Sequence, residues 1–522
     1  MTEMLEVLSQ WPWWVYLLLF VALIAIRDIF NQEHTIKHNF PVIGHFRYLL
    51  ESIGPELRQY IVANNREELP FNRRQRSWIY ASAKSENNYQ GFGTDQDQHE
   101  PGFVFVNPTM IPFSLAADHP NRKDPSFCPC AKIIGENRRE KPFRPASIVN
   151  ISAMSFGSLS ARAVSSLNKG ALKAHCYHNT GEGGLSPYHS NGADVVFHFG
   201  TAYFGVRDQE GKFSIDKLKE LVDRNPFIKA IEIKLSQGAK PGKGGVLPAK
   251  KITAEIAAIR NLPQGKDVLS PAHHTAFSNI EELVGLIEQI AKVTGLPVGI
   301  KSAVGKLVMW RQLVGIMKTT RQGPDFITID GGEGGTGAAP PSFSDHVALP
   351  FTYAFAKVYQ LFLEQGLTDR VVFCASGKLG LPASTLKAFA MGADVVNIAR
   401  EAMISIGCIQ AQICHTNRCP SGVATQNRWL QNGINVPLKT ERFYNYIKTL
   451  RKEIIEITHS AGYEHPSQMT MRDIDVSMGD NNHTQSLEVA YGYKKAAVAF
   501  NSMQRLLDCP YLGGAYTKTM AS

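Results

Sequence analysis

The sequence predicts an α/β protein: a (β/α)8 barrel (TIM barrel) with an N-terminal transmembrane helix and a small mixed N-terminal region ahead of it. Three observations predict this. Between residues 146 and 440, short apolar runs alternate with helical stretches. Repeated βα alternation of this length argues for a parallel sheet, for which a closed barrel is the best fit. Several polar and glycine-rich clusters fall just after the expected strand ends, the face on which barrel active sites lie. Finally, residues 11–26, WPWWVYLLLFVALIAI, form an unbroken apolar run.

Taken in order, residues 1–29 read as a membrane anchor. With Val7 and Leu8 the apolar run approaches the roughly 20 residues that a spanning helix needs, and Trp11, Trp13 and Trp14 suit an interface. Glu3 and Glu6 stand where a signal peptide carries positive charge. Arg27, Lys37 and Arg47 follow the run and no Lys or Arg precedes it. The expectation is a single-pass plasma-membrane protein with its catalytic domain on the cytoplasmic side; a hydrophobic docking helix is the alternative.

Residues 30–145 read as a mixed region of Arg- and Glu-rich helices and short strands broken by proline. Cys128 and Cys130 there form a lone C-x-C, a weak metal signal that reads as structural. The barrel, 146–440, draws its strands from SIVNISAM, DVVFHFG, AIEIKL, LPVGIKS, DFITIDGG, RVVFCASG and DVVNIAR. Such runs are buried on both faces of a parallel sheet. Residues 441–522 form a helical C-terminal extension that begins with the amphipathic RFYNYIKTLRKEIIEITHSAGY and is weakly patterned in its last 45 residues.

Composition excludes several classes. With 44% hydrophobic and 19% charged residues the 522-residue chain is an ordinary globular one. Eight cysteines do not make a disulfide scaffold at this length. The net charge of +9 suits an acidic electron donor or an anionic membrane surface, or is a solvated excess with no partner. The basic residues are dispersed and no nucleic-acid motif is present.

The most specific local signal is GCIQAQICHTNRCPSGVATQ. Cys408, Cys414 and Cys419 are spaced by five and then four residues and closed by Pro420. The spacing is not that of a zinc ribbon or a thioredoxin. Three thiolates without a fourth suit a 3Fe-4S cluster; three structural thiols in a packed loop is the other reading.

This segment resembles the cluster loop of the large subunit of glutamate synthase, an enzyme of FMN and a 3Fe-4S cluster. Four further blocks agree in order: NISAMSFGSLS at 150–160, NTGEGG at 179–184, EIKLSQGAKPGKGG at 232–245 and GGEGGTGAAP at 331–340. The best match is the group of short, FMN-binding glutamate-synthase-like proteins. The resemblance implies the same barrel, with FMN phosphate contacts near Gly377, Lys378 and Arg400 and further cofactor contacts at Gly334, Gly335 and Gly337. Ala153, Met154 and Ser155 match the segment beside the flavin ring. Lys301 ends a buried strand, where an unpaired lysine is costly. The resemblance sets it against the flavin N1–C2=O edge; a buried ion pair is the alternative.

On the substrate side, Lys234, Gln237, Lys240 and Arg260 fall on family positions that bind a 2-oxo diacid, and Glu182 on an active-site glutamate suited to relaying a proton or orienting ammonia. The alternative for Arg260 is a helix cap. The departures are Val246 where the family has Gln, Lys243 where it has an acidic residue, and GGEGG (with Gly332 and Glu333) where it has GHDGG. His273 and His274 match a family block as lid or supporting residues.

This chain shows no N-terminal Cys nucleophile with a glutaminase domain, and no strand–GxGxxG–helix unit for NAD(P)H. The activity the resemblance implies is reductive amination of a 2-oxo acid, 2-oxoglutarate with ammonia or an amine. Electrons are expected from a separate protein, a ferredoxin or a reductase subunit. A membrane redox module that passes electrons between a donor and quinone, an N-alkylglutamate synthase and an FMN oxidoreductase acting on an unrelated substrate such as a 2-hydroxy acid are the rivals.

Overall fold

Eight parallel strands close into a barrel in the computed structural model, which describes residues 11–30, 35–115, 124, 126–337, 339–479, 483–496 and 498. The strands are β1 (Val149–Ile151), β2 (His178–Asn179), β3 (Val195–Phe199), β4 (Ile228–Lys234), β5 (Val298–Ser302), β6 (Phe326–Asp330), β7 (Val372–Ser376) and β8 (Val395–Ile398). Each pairs with its sequence neighbours, and β8 closes the ring on β1 with Val396 opposite Val149 and Ile398 opposite Ile151. Strands β3, β5, β6 and β7 are buried at every position, which is why apolar residues predominate on both faces.

Seven of these strands coincide with the seven apolar runs. The eighth, β2, is two polar residues with no hydrophobic period. It is held by tertiary hydrogen bonds instead: Asn179 Nδ2 donates to Glu232 Oε2 at 2.8 Å and His178 lies 3.4 Å from Asn168 Nδ2.

Helices between the strands begin and end on local signals. Ser160 caps Ala161–Ala174 by accepting from the Ala163 N–H, and Asn279 caps Ile280–Thr294 through the Glu282 N–H. An insertion between β4 and β5 carries an antiparallel pair, Val246–Leu247 with Val268–Leu269, and the helix Ala254–Arg260.

The long helix Val436–Ser460 packs on Ala161–Ala174. Arg451 Nη1 donates to the Ala174 carbonyl at 2.8 Å, and a Cβ on Gly170 would lie 2.8 Å from the Phe443 ring. A three-stranded antiparallel sheet joins Val104–Val106, ahead of the barrel, to Ile474–Ser477 and Thr484–Ser486 after it. Residues 499–522, the end of the weakly patterned extension, lie outside the described residues.

The chain divides into two units, residues 1–74 and 75–522. In the first, the apolar run forms the 17-residue helix Trp13–Ile29. At 1.5 Å per residue that is about 26 Å, short of the roughly 30 Å hydrocarbon core. Its last turn also carries Arg27 and Asp28, and Asp28 is buried, accepting from the Val42 N–H and lying 2.9 Å from His45 Nε2. Among the described residues no helix is long and apolar enough to cross a membrane. The expected transmembrane anchor, the membrane as partner and the single-pass plasma-membrane location are corrected accordingly: the run read as a span ends in a turn whose carboxylate serves the local fold. Val7 and Leu8 lie outside the described residues.

Candidate active site

Parallel strands send all their C-terminal ends to one face, and the chemistry-bearing side chains collect there. Lys234 is the last residue of β4, and Glu182 stands on the turn after β2. Lys234 Nζ donates to Glu182 Oε2 at 2.5 Å. Small residues allow the approach: a Cβ on Gly200, just past β3, would lie 2.5 Å from the same oxygen. Burial pushes the Glu182 carboxyl up, but Lys234, with Lys240 and His198 farther off, outweighs it and holds the group down at about 2.

Two further cations flank this pair. Lys240 is 2% exposed and donates to the Gly244 carbonyl at 3.2 Å. Burial lowers its pKa, and Glu182 opposes that shift. Arg260, 4% exposed, ends the helix Ala254–Arg260, but its side chain turns inward rather than capping. Its Nη2 donates to the Phe156 carbonyl at 2.8 Å, its guanidinium lies 5.2 Å from the Phe204 ring centre, and its buried Nε has no hydrogen-bond partner. A Cβ on Gly157 or Gly183 would come within 2.9 or 2.8 Å of Nη2, so both must be glycine for Arg260 to fit. Burial lowers the guanidinium to about 10, again opposed by Glu182.

Gln237 is half-buried on the same loop, and its carbonyl accepts from the Lys240 N–H at 3.2 Å. Gly245 lies against Glu182, with a Cβ there 3.0 Å from Oε1, and Val246 follows it half-buried. His274 supports the site from behind: Nε2 lies 2.8 Å from the Lys234 carbonyl and Nδ1 3.1 Å from the Tyr203 hydroxyl. His273 is exposed.

A second group of residues gathers where β1, β5, β6, β7 and β8 end. Ala153, Met154 and Ser155 follow β1, and the turn after β2 packs on them so closely that a Cβ on Gly181 would lie 2.8 Å from Ser155 N. Lys301 on β5 is 5% exposed and meets Asp330 Oδ1 on β6 at 3.5 Å; the other Asp330 oxygen accepts from the Gly238 N–H at 2.9 Å. The buried ion pair that was the alternative for Lys301 is therefore present.

Farther round, Gly377 has φ +151, and a Cβ there would be 2.8 Å from Phe351 Cβ. Lys378 has φ 57, and its pKa is lowered by burial and by the adjacent Arg400, with Glu401 and Glu333 opposing. Arg400 also donates to the Glu333 carbonyl and runs past Gly335, where a Cβ would be 3.4 Å from Arg400 Cδ. Two neighbouring cations over glycine backbone form a cradle suited to a phosphate.

The loop at 331–337 reaches from this cradle to the cysteines. Gly334 lies against the Gly331 carbonyl, and a Cβ on Gly337 would be 3.4 Å from Cys414 Cβ. Cys408, Cys414 and Cys419 are unpaired as disulfides and near enough to affect one another's ionisation. Burial pushes Cys408 up to about 12. Among the described residues no set of three or more His, Cys, Asp or Glu side chains is arranged to hold a metal ion. Lys251, 4% exposed, donates to the carbonyls of Cys414 at 2.8 Å, Ala424 at 3.2 Å and Ser158 at 3.5 Å, tying the cysteine loop to the segment after β1. Cys130 is buried in the core, as its structural reading requires.

Sequence reasoning missed the charged network inside the barrel. Glu232 on β4 is 1% exposed; Oε2 lies 2.6 Å from His198 Nδ1 and accepts from Asn179, and Oε1 accepts from Thr328 Oγ1 at 2.5 Å. Burial raises its carboxyl, and His198 with Lys301 brings it down to about 2. The available signal was a glutamate inside an apolar strand, where a charge must be paired.

The family model described as "Conserved region in glutamate synthase" matches residues 112–464. The glutamate synthase large subunit-like protein YerD of Bacillus subtilis is 41% identical over 476 residues, covering 85% of this chain and 90% of that one. The archaeal-type glutamate synthase [NADPH] of Thermotoga maritima is 38% identical over 316 residues, and the archaeal glutamate synthase [NADPH] of Methanocaldococcus jannaschii 37% over 320 residues. Each of these two alignments covers 60% of this chain and spans 59% of the relative.

Proposed function

This chain belongs to the glutamate synthase family, and on that premise we propose that it is an FMN oxidoreductase that reductively aminates a 2-oxo acid, 2-oxoglutarate to glutamate, with electrons supplied by a separate protein through a 3Fe-4S centre. The observation that carries the reading is the grouping of Lys240 and Arg260 around the Glu182–Lys234 pair at the mouth of the barrel. A dicarboxylate needs two or more cations, and an arginine with an unpartnered buried N–H is poised to take a carboxylate.

The cradle of Gly377, Lys378, Gly335 and Arg400 fits a phosphate, and Lys301 on β5 with Ala153, Met154 and Ser155 after β1 fits the ring of the same cofactor. FMN, when bound, supplies the hydride that reduces the imine of the 2-oxo acid. The three thiols fit an iron–sulfur cluster better than a single ion: each iron takes its own thiolate, so the ligands need not converge on one point.

The chain's own residues do the rest. Lys240 and Arg260 hold the substrate carboxylates in a site walled by Phe204 and by Gly157 and Gly183. Glu182, ionised throughout the neutral range, cannot donate a proton; it accepts hydrogen bonds from ammonia and stabilises the positive charge of the imine. Lys234 holds Glu182 in place, and the His274 bond to the Lys234 carbonyl fixes that strand end.

The test is anaerobic photoreduction of the protein, followed by 2-oxoglutarate with and without ammonium. Flavin reoxidation that needs both supports the reaction; no reoxidation in flavin-loaded protein rejects 2-oxoglutarate. One observation favours a second reading, an N-alkyl amino acid product: apolar Val246 follows the Gly245 that lies against Glu182. Methylammonium that outpaces ammonium in the same assay would establish it.

A further inference from the structure

We infer that Glu232, inside the barrel two residues before Lys234 on β4, is a positioning residue for the proposed amination: through Asn179 it holds the turn that carries Glu182, and its charge offsets that of Lys301. The inference rests on the roles proposed above for Glu182 and Lys301. Side chains alternate along a strand, so Glu232 and Lys234 lie on the same face of β4. The two Glu232 oxygens meet side chains from three other strands: Asn179 on β2 at 2.8 Å, His198 on β3 at 2.6 Å and Thr328 on β6 at 2.5 Å. Folding does not call for a charge here. A buried ionic network can often be replaced by apolar residues with no loss of stability.

What the carboxylate does is orient Asn179. With Nδ2 held by Glu232, the amide turns Oδ1 the other way, where it accepts from the Gly181 N–H at 3.0 Å. The neighbouring Thr180 hydroxyl accepts from the His198 N–H at 3.0 Å. Both residues ahead of the Gly181–Gly183 turn are thus tied to Glu232 and its partner His198. The turn has no slack on its other side, since Gly181 has φ +64 and a Cβ there would lie 2.8 Å from Ser155 N. Glu182 is the middle residue of this turn, so any movement of Asn179 passes to the carboxylate that meets Lys234.

Glu232 also acts at Lys301, which lies near enough to affect its ionisation. Lys301 already meets Asp330 at 3.5 Å. Asn179 and Thr328 carry no charge, and burial disfavours one on His198. Glu232 therefore adds a second negative charge close to the lysine, in an interior where charges are weakly screened. A lysine balanced by two carboxylates stabilises negative charge on a bound ring less than a lysine balanced by one.

The experiment uses the full chain loaded with FMN. E232Q keeps the shape: the new carbonyl can accept from Asn179 and His198 while the new NH2 faces the Thr328 hydroxyl, so only the charge is lost. The kcat for amination should fall about tenfold or more with the KM for 2-oxoglutarate within about threefold, and the midpoint potential of the bound flavin should move positive. E232D retains the charge and should keep the potential close to that of the unaltered chain. N179A leaves the carboxylate in place and cuts its link to Gly181. Hydrogen exchange of residues 179–184, read in flavin-free protein, should then speed up about tenfold or more, while the potential of the loaded protein stays put. Unchanged kcat and potential in E232Q overturn the inference, as does an E232Q protein whose only defects are a lower melting temperature and lower flavin content. Should E232Q fail to fold, N179A decides: exchange at 179–184 no faster than in the unaltered chain overturns the inference. Potential and exchange are read without turnover, so a protein that shows both effects while forming no amino acid would leave Glu232 holding this turn and sink the proposed reaction instead.

Discussion

The Glu182 carboxylate takes the Lys234 ammonium at 2.5 Å, directly beside Gly200, at the mouth of the barrel. E182Q removes the negative charge and keeps the shape. We expect kcat for amination to fall about 10²-fold or more with flavin content unchanged, measured by anaerobic turnover with 2-oxoglutarate and ammonium. A folded-state pKa near 2 means the pair is intact above the ordinary carboxylate range and is lost only as pH falls through about 2. Glu182 should therefore contribute no inflection to the pH–rate profile between about pH 5 and 9.

Lys240 and Arg260 act on binding. K240A and R260A should each raise the KM for the 2-oxo acid about 10- to 100-fold, the worth of one charged hydrogen bond. R260K should recover little, because a lysine cannot clamp a carboxylate bidentately. An unchanged KM in either alanine variant removes that residue from the substrate site.

G377A places a Cβ 2.8 Å from Phe351 Cβ at a residue whose φ is +151. The loop must shift, at a cost of about 1–3 kcal/mol. Flavin retained through purification should drop, and the Kd for added FMN should rise at least about tenfold; full flavin content in this variant would put the phosphate cradle elsewhere.

Acid should destabilise the fold well above the carboxylate range. His189 is fully buried, and burial lowers it from 6.5 to about 4. Its contribution is present above pH 6.5 and shrinks as pH falls toward 4, because the unfolded chain takes a proton that the native state refuses. At about 1.4 kcal/mol per unit that is roughly 3 kcal/mol for this one residue, and His178 and His274 shift in the same direction. Urea unfolding at pH 7 and at pH 5 should show the loss; stability flat across that interval would contradict the neutral buried histidines.

K251M removes the ammonium that bonds Cys414, Ala424 and Ser158. The three carbonyls lose their donor, and the cysteine loop should loosen from the segment after β1. Alkylation of Cys408, Cys414 and Cys419 in iron-free protein should speed up about tenfold, and iron and sulfide bound per chain should fall.

The N-terminal helix shows where local pattern misleads. Hydropathy counts apolar residues but not what their neighbours bond to. Asp28 joins the end of the run only because Val42 and His45 fold back onto it. The β2 strand fails in the opposite sense: His178 and Asn179 have no period to detect, and their place in the ring is set by Asn168 on one helix and Glu232 on another strand.

By itself the sequence determined the barrel, because strands buried on both faces are mostly apolar and alternate with helical stretches. It also pointed to residues proposed to carry the chemistry, since Lys234, Lys240 and Lys301 sit at or beyond strand ends, where charge is not expected without a role. Only the tertiary structure decided how they act. That Lys301 pairs with Asp330, that Arg260 turns inward between two glycines, that Glu182 is ionised and that Lys251 ties the cysteine loop down are contacts between residues far apart in the chain. Their strength depends on burial and close approach, which exist only once the barrel has closed.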